Sequence, residues 1–255
     1  MIVRTERLSR RYGGVTAVDD VSFAVERGTI TALIGPNGAG KTTTLNMISG
    51  MTRPSAGRVF LSDTDVTGLR PDEMCRHKVA RTFQMPQTFG SMTLCENVIV
   101  GSTTRGDSGL VGAALSLPRF RSREEEFAVE ARALLVSLGI GHLADMRTSS
   151  VSFGTMRLTE LARALASHPV LVLMDEPASG LSRAETQALR TILLRLKSEG
   201  LTILLVEHNM PLIMSTADHI HVLDKGRLIA GGSPQEIQAN PLVQQAYLGL
   251  VEEPS

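Results

Sequence analysis

Apolar and polar residues alternate in several segments of the N-terminal third of the chain. Val3 to Leu8 and Val18 to Val25 show this alternation, and Arg58 to Leu61 continues it. A period of two places every second side chain on the same face of a strand, so that one face packs on a core and the other meets water. We therefore predict a small antiparallel sheet in this third of the chain.

The C-terminal half has a different order of elements. Val170 to Met174 and Thr202 to Val206 are short apolar runs that predict strands, and Ala184 to Lys197 between them predicts a helix. Strand, helix and strand in this order indicate a parallel βαβ unit. Two further strands are predicted at Ile220 to Leu223 and Leu228 to Ala230, joined by a turn at Lys225-Gly226. Two short helices are predicted within 234–248.

Between these halves the apolar pattern is interrupted. Residues 101–118 are rich in Gly and Ser, which predicts a loop. Residues 119–126 are densely charged, and we interpret them as the solvated start of an amphipathic helix. Apolar residues then recur at helical spacing, at Phe127, Ala131, Leu134, Leu135 and Leu138.

Composition and charge restrict the classes of protein. The chain has 255 residues, of which 42% are hydrophobic, and this suits one large or two small globular domains. Lys plus Arg and Asp plus Glu each number 26, so the formal net charge is zero. This balance gives no electrostatic case for binding nucleic acid or an anionic membrane surface.

The sequence carries no targeting or membrane-spanning signal. The N-terminus lacks the apolar core of a signal peptide, and no apolar run approaches the roughly 20 residues of a membrane helix. We therefore expect a soluble chain, whose membrane span, if its work needs one, comes from another chain. Cys75 and Cys95 have no metal-ligand spacing, so we expect buried free thiols in a reducing cytosol.

The strongest chemical signal is a glycine-rich motif between a predicted strand and a predicted helix. The apolar run Ile30 to Ile34 precedes it, the helical segment Thr43 to Ser49 follows it, and the motif fits G-x-x-x-x-G-K-[ST]. Glycines allow backbone N–H groups to converge on phosphate oxygens, and the helix N-terminus adds partial positive charge. The motif predicts a triphosphate site in which Lys41 reaches the β- and γ-phosphates and the Thr42 hydroxyl binds Mg²⁺. Its predicted nucleotide-binding residues are Gly35, Pro36, Asn37, Gly38, Ala39, Gly40, Lys41, Thr42 and Thr43.

Two adjacent carboxylates follow the apolar strand Val170 to Met174. Asp175 and Glu176 are thereby expected at the C-terminal edge of a parallel sheet, where α/β proteins bind their ligands. We predict that Asp175 holds Mg²⁺ through water and that Glu176 polarises the attacking water as general base.

The segment VSFGTMRLTELARAL at 151–165 lies between the phosphate motif and these carboxylates. With them, it makes the chain resemble the ATP-binding subunit of an ABC transporter. In that family an LSGGQ-type segment stands at this place, and Ser152 and Gly154 match two of its residues. The resemblance implies that Ser152 and Gly154 contact ATP held by a second subunit. Ser152 is also suited to cap the following helix.

Other family positions occur in the expected order along the chain. Tyr12 matches the aromatic residue that stacks on adenine, and Gln84 matches the glutamine that senses Mg²⁺ and water beside the transmembrane partner. His208 matches the histidine that meets the γ-phosphate, and residues 179–182 match the loop that contacts the opposite protomer. The resemblance therefore implies Glu176, His208 and Gln84 as catalytic residues, and Thr42, Asp175 and Gln84 around Mg²⁺.

The resemblance covers essentially the whole chain and is greatest to the larger ATPase of branched-chain amino acid importers. The stretches GPNGAGKTT, ARTFQ, EHNM and the YLG at 247–249, with the insertion at 101–126, carry it. It implies an α/β fold: a RecA-like P-loop NTPase core with an antiparallel β subdomain and an inserted α-helical subdomain. The whole of 1–255 is expected as one ABC ATPase domain, with the core and β subdomain at about 1–86 and 166–255 and the helical subdomain at about 87–165.

The same resemblance implies cofactors and partners. ATP and Mg²⁺ are the expected ligands, and hydrolysis would power import of a small polar solute, most simply branched-chain amino acids. The expected partners are a second ATPase subunit, two transmembrane permease subunits and, indirectly, a periplasmic solute-binding protein, with no nucleic acid. The expected location is the cytoplasmic face of the inner membrane. A lipid or lipopolysaccharide exporter, a non-transport ABC ATPase and a regulator with negligible hydrolysis are the alternatives.

The sequence departs from the family pattern in the LSGGQ-type segment. Thr155 stands where the family has Gln, Met156 stands where a second Gln is usual, and Ser182 replaces an Asn or Asp. Thr155 has a shorter reach and Met156 has no hydrogen-bond donor. We therefore hypothesise pairing with a different ATPase subunit, in which the site formed with this chain's 151–156 segment is the weaker one.

Overall fold

The computed structural model of the chain describes residues 1–103 and 118–248, with side chains at 1–103 and 125–246. Within these ranges ten strands form two sheets. The strands are β1 Val3–Tyr12, β2 Val15–Val25, β3 Ile30–Ile34, β4 Ala56–Leu61, β5 Thr64–Asp65, β6 Val79–Thr82, β7 Leu171–Asp175, β8 Thr202–Val206, β9 His219–Asp224 and β10 Arg227–Gly232. The α-helices are α1 Lys41–Ile48, α2 Pro71–Arg76, α3 Leu94–Ser102, α4 Pro118–Ser137, α5 Phe153–Leu165, α6 Arg183–Ser198, α7 Met210–Thr216, α8 Pro234–Ala239 and α9 Pro241–Leu248.

The predicted antiparallel sheet is present and has the strand order β2-β1-β4-β5. Val3 and Thr5 in β1, and Val21, Phe23 and Val25 in β2, are buried at alternate positions, as the alternation predicts. Leu8 is also buried, because a register shift between Thr5 and Leu8 interrupts the alternation. The strands are longer than predicted, because β1 extends to Tyr12 and β2 begins at Val15.

The second sheet has six strands in the order β10-β9-β3-β8-β7-β6. Its central strands β3, β8 and β7 pair in parallel, and all their residues are buried. Burial on both faces explains why they are continuous apolar runs rather than alternating ones. The predicted βαβ unit is β7, α6 and β8.

The helices between β6 and β7 form a group of their own beside this sheet. Helices α3, α4 and α5 contact one another, and Leu94, Ala131, Leu135 and Leu161 lie in one core cluster with residues of β7 and α6. The predicted amphipathic helix is confirmed as α4, in which Ala131 and Leu135 are buried.

Several details differ from the sequence predictions. Helix α1 begins at Lys41, two residues early, because Gly40 turns the chain into it. In the predicted loop at 101–118, residues 101 and 102 are the end of α3 and residue 118 begins α4, while 104–117 lie outside the described residues. Cys75 is only half-buried, whereas Cys95 is buried, and both thiols are free.

The two sheets meet beside the phosphate loop. The Asp19 N–H in β2 donates to the Gly226 carbonyl at 2.8 Å, and the Gly226 N–H donates to the Ala39 carbonyl at 3.2 Å. These hydrogen bonds connect β2, the β9–β10 turn and the phosphate loop. Among the described residues, no helix combines the length and the apolar character needed to cross a membrane.

Candidate functional site

The glycine-rich motif forms the loop between β3 and α1, at the C-terminal end of a buried parallel strand. Gly40 has φ of 95°, in the left-handed region that glycine adopts most readily. A Cβ there would lie 2.5 Å from the Ala17 carbonyl oxygen of β2, so the approach of β2 also requires glycine. The helix that begins at Lys41 directs its N-terminus at this loop, which favours an anion there.

Lys41 is the cation of this loop. Its Nζ donates hydrogen bonds to the carbonyl oxygens of Gly35 at 2.7 Å and Pro36 at 2.8 Å, and the residue is only 8% exposed. Burial lowers the pKa of Lys41, while the carboxylates of Glu176 and Asp175 oppose that shift. The ammonium group is therefore held inside the loop by backbone oxygens, close to two acidic side chains.

Asp175 ends β7 opposite the start of α1. The Thr42 Oγ1 lies 3.4 Å from Asp175 Oδ1, and an Arg81 nitrogen lies 3.2 Å from Oδ2. Burial raises the pKa of Asp175, and the Arg81 guanidinium opposes that shift. Hydroxyl and carboxylate oxygens of this kind are ligands suited to Mg²⁺, which keeps several waters and binds through few protein groups and the substrate phosphates.

Glu176, Gln84 and His208 meet at the adjacent edge of the sheet. The Gln84 Nε2 donates to Glu176 Oε2 at 2.8 Å, and His208 Nδ1 lies 3.8 Å from the same oxygen. Glu176 has a φ of 47°, which is uncommon for a residue with a side chain and is often found at functional sites. The structure thus brings together three residues that are separated by 92 and 32 positions in the sequence.

Glu207 fixes the loops that carry this cluster. Its carboxylate accepts from the Ala178 N–H at 2.7 Å and from the N–H groups of His208 and Asn209 at 2.9 and 3.0 Å. The side chain is fully buried. Since Ala178 follows Glu176 by two residues, Glu207 holds the base loop and the histidine loop in one arrangement.

Ser152 and Gly154 lie at the start of α5. Ser152 Oγ caps the helix by accepting from the Thr155 N–H at 3.2 Å, and it also lies 3.0 Å from Thr155 Oγ1. A Cβ on Gly154 would lie 2.2 Å from Glu185 Oε1 at the start of α6. The described contacts of Ser152 and Gly154 are thus with α5 and α6 rather than with the chain's own phosphate loop.

Tyr12 ends β1 and is 45% exposed. The Arg10 guanidinium lies 4.5 Å from the centroid of its ring. Tyr12 pairs with Val15 at the start of β2, the strand whose Ala17 packs against Gly40. The ring is therefore on the sheet that borders the phosphate loop, with Arg10 beside it and nearly half of the residue exposed.

Sequence reasoning missed four charged residues around the site. They are Arg81, Arg157, Glu160 and Glu207, and all of them have buried or nearly buried side chains. Each stands among apolar residues whose spacing predicts burial, and buried ionisable groups need partners. That mismatch is the signal from which they could have been found, although it does not identify the partners.

The family is decided by comparison with known proteins. A family profile described as "ABC transporter" matches residues 18–179, and one described as "Branched-chain amino acid ATP-binding cassette transporter" matches residues 227–251. The chain belongs to the ABC transporter family. It is an ATPase subunit of the ATP-binding-cassette type, with the P-loop fold that its sequence predicts.

Two relatives match this ABC ATPase over nearly its whole length. It is 35% identical to the probable branched-chain amino acid transport ATP-binding protein LivG of Methanocaldococcus jannaschii, over 97% of each chain. It is 36% identical to the high-affinity branched-chain amino acid transport ATP-binding protein BraF of Pseudomonas aeruginosa, over 97% of this chain and 98% of the relative.

Solved structures of ABC cassettes have the same fold. The ADP conformation of an ATP-binding cassette from an ABC transporter superposes with a TM-score of 0.85, at 34% identity over 97% of this chain and 98% of the other. A nucleotide-free cassette gives a TM-score of 0.84 at 34% identity, over 96% of this chain and 98% of the other.

Proposed function

We propose that this ABC ATPase hydrolyses ATP to power the import of branched-chain amino acids through a multi-subunit transporter. The observation that carries the substrate class is the match of residues 227–251 to the branched-chain amino acid transporter profile. It supports this branch over the lipid exporter and the non-transport ATPases. The similarity to LivG and BraF proteins over nearly the whole chain points in the same direction.

The phosphate loop binds the triphosphate. Lys41 exchanges its bonds with the Gly35 and Pro36 carbonyl oxygens for bonds with the β- and γ-phosphates, and the loop residues 35–43 surround them. Thr42 and Asp175, with Gln84, would hold Mg²⁺. When bound, the cation neutralises charge on the phosphate oxygens. Tyr12 stacks on the adenine.

Glu176 is the general base. Its carboxylate takes up the proton of the attacking water, which lies between it and the γ-phosphate. Gln84 and His208 are both near Glu176 Oε2, where they orient that water and contact the γ-phosphate. Because Glu207 holds the base and histidine loops together, these groups are positioned before ATP arrives.

Two ATPase subunits associate head to tail, and each subunit completes the ATP site of the other. Ser152 and Gly154, at the N-terminus of α5, contact the γ-phosphate of ATP held by the opposite subunit. The region of about 87–165 acts as a helical subdomain that moves on closure. Two permease subunits contact the surface near Gln84 at the cytoplasmic face of the inner membrane, so this movement changes their conformation. A periplasmic binding protein delivers the solute to them.

We infer that the second ATPase is a different polypeptide. Thr155 and Met156 offer fewer polar contacts to a phosphate than two glutamines would, and Thr155 Oγ1 is already near Ser152 Oγ. The Thr155→Gln substitution is expected to raise the ATPase rate of the assembled complex. An unchanged rate would count against a weakened site.

Transport can be tested in proteoliposomes. The chain is co-expressed with candidate permease subunits and a candidate second ATPase from the same organism, and ATP is enclosed on the ATPase side. With a candidate solute-binding protein from the same organism outside, labelled leucine should accumulate only with ATP, and a Glu176→Gln complex should not accumulate it. ATP hydrolysis without leucine uptake, or outward lipid movement, would contradict the proposal.

A further inference from the structure

Helix α5 carries a buried carboxylate that the mechanism above does not use. Glu160 is 2% exposed and lies two helical turns after Ser152. A buried carboxylate is costly unless it is paired and hydrogen-bonded. Its partners are therefore informative about its role.

The partners of Glu160 are main-chain groups on either side of Gln84. Its Oε1 accepts from the Gln87 N–H at 3.0 Å, and its Oε2 accepts from the Phe83 N–H at 3.4 Å. An Arg163 nitrogen lies 3.8 Å from Oε1 and balances the charge. Both hydrogen bonds join α5 to the irregular segment that follows β6.

Arg157 adds a third hydrogen bond from the same helix to this segment. Its Nη2 donates to the Gln84 carbonyl oxygen at 2.7 Å and to the Ser179 carbonyl oxygen at 2.9 Å. The segment has no strand partner after Thr82 among the described residues, so its main-chain groups depend on other partners. Side chains of α5 form hydrogen bonds with three of these main-chain groups, the N–H groups of Phe83 and Gln87 and the carbonyl oxygen of Gln84.

Glu160 and Arg157 also lie beside open space. A partly open pocket of about 160 Å³ lies between α5, β7 and α6, and Glu160 and Arg157 are in its wall. On its other side Glu160 also borders an open groove of about 300 Å³ beside α2, β6 and α3. The hydrogen bonds of Glu160 and Arg157 connect α5 directly to the Gln84 segment.

We propose that Glu160 is a positioning residue that makes Gln84 move with α5, and thereby sets the Gln84–Glu176 hydrogen bond. Displacement of α5, whose N-terminus carries Ser152, then changes the arrangement of the base in the same chain. This inference rests on the proposed role of Glu176 as base. It gives Glu160 a positioning role, while Glu176 remains the group that takes the proton.

A double-mutant cycle on the assembled transporter tests this role. Glu160→Gln is nearly isosteric and loses one of the two acceptors, so kcat should fall by about tenfold or more while the affinity for ATP stays near wild type. In a Gln84→Ala background the same substitution should have no further effect on kcat, because its action passes through Gln84. Additive losses in kcat would overturn the proposal and leave Glu160 a structural residue.

Two variants complete the design. Glu96→Gln is the matched control, since Glu96 also accepts from a backbone N–H but at the start of α3, and it should leave kcat unchanged. If Glu160→Gln does not fold, Glu160→Asp keeps the charge with a shorter reach and is put through the same cycle, with the same two outcomes. If the wild-type complex shows no ATPase activity, the proposed function is contradicted. The positioning role of Glu160 is contradicted only by additive losses in the cycle.

Discussion

Lys41 illustrates how one side chain can be prepared for a ligand. Its ammonium group is buried and bonded to two carbonyl oxygens of its own loop. Because burial has already removed most of its water, phosphate oxygens compete with two backbone acceptors rather than with a full hydration shell. The two nearby carboxylates help to keep it charged.

Replacement of this lysine should therefore weaken nucleotide binding. Loss of a charge-assisted hydrogen bond costs about 1.5–3 kcal/mol, so Lys41→Ala should raise the Kd for ATP by at least about tenfold, as measured by titration with a fluorescent ATP analogue. Lys197→Ala, which removes an ion pair with Asp218, is the control and should not change the Kd. An unaltered Kd for Lys41→Ala would exclude Lys41 from the binding site.

At the scale of elements, Arg81 joins β6 to both α1 and β7. Its Nη1 donates to Ser49 Oγ, just after α1, at 2.7 Å, and its Nη2 bonds Asp175 at the end of β7. Both charged side chains are at most 9% exposed. The phosphate-loop helix and the strand of Asp175 are thereby held at a fixed separation.

Removing one partner of such a pair leaves an uncompensated buried charge. Arg81→Met should lower the free energy of unfolding by about 3–5 kcal/mol, measured by urea denaturation. The exposed Arg58→Met is the control and should change it by less than about 0.5 kcal/mol. A loss below 1 kcal/mol for Arg81→Met would mean that the ion pair does little for the fold.

Over the whole molecule, the hydrophobic pattern predicts more of the fold than of the site's supporting contacts. The strands β3, β7 and β8 and the phosphate loop are local patterns, so they can be identified without tertiary information. The short elements α2, α3, α7, β5 and β6 were not predicted. The four residues of β6, for example, form a strand through their pairing with β7.

The site residues divide in the same way. Lys41, Thr42 and Asp175 follow from local motifs, whereas Gln84, His208 and Ser152 needed a family resemblance. Arg81 and Glu160 could not be assigned a role, since their partners lie 94 and 73–77 positions away in the sequence. A sequence pattern can indicate that a charged residue is buried, but which residue pairs with it depends on the tertiary fold.

The two sheets are also joined through a buried histidine. His221 in β9 has a ring nitrogen 3.1 Å from the Ala24 carbonyl oxygen of β2, and its ring contacts Phe23. Burial lowers the pKa of His221 to about 4, from an ordinary value of 6.5. The folded protein therefore holds His221 neutral, while the unfolded chain binds a proton as the pH falls below 6.5.

This difference should make stability depend on pH. The contribution of His221 is complete above pH 6.5 and is lost as the pH falls towards 4, by up to about 3 kcal/mol. His221→Gln keeps a donor for Ala24 and cannot titrate, so its free energy of unfolding should fall less between pH 7 and pH 5 than that of the wild type. Equal slopes in urea denaturation would contradict the buried neutral histidine. Exposed His142→Gln controls for the loss of a histidine.

The central claim is that Glu176 is the base that hydrolyses ATP. In the assembled complex, phosphate release and ATP affinity are measured for the wild type and for Glu176→Gln. The account predicts near-wild-type affinity and a release rate lowered by at least about 100-fold, since general-base catalysis contributes 10²–10⁴ to the rate. Phosphate release from Glu176→Gln at the wild-type rate would contradict it.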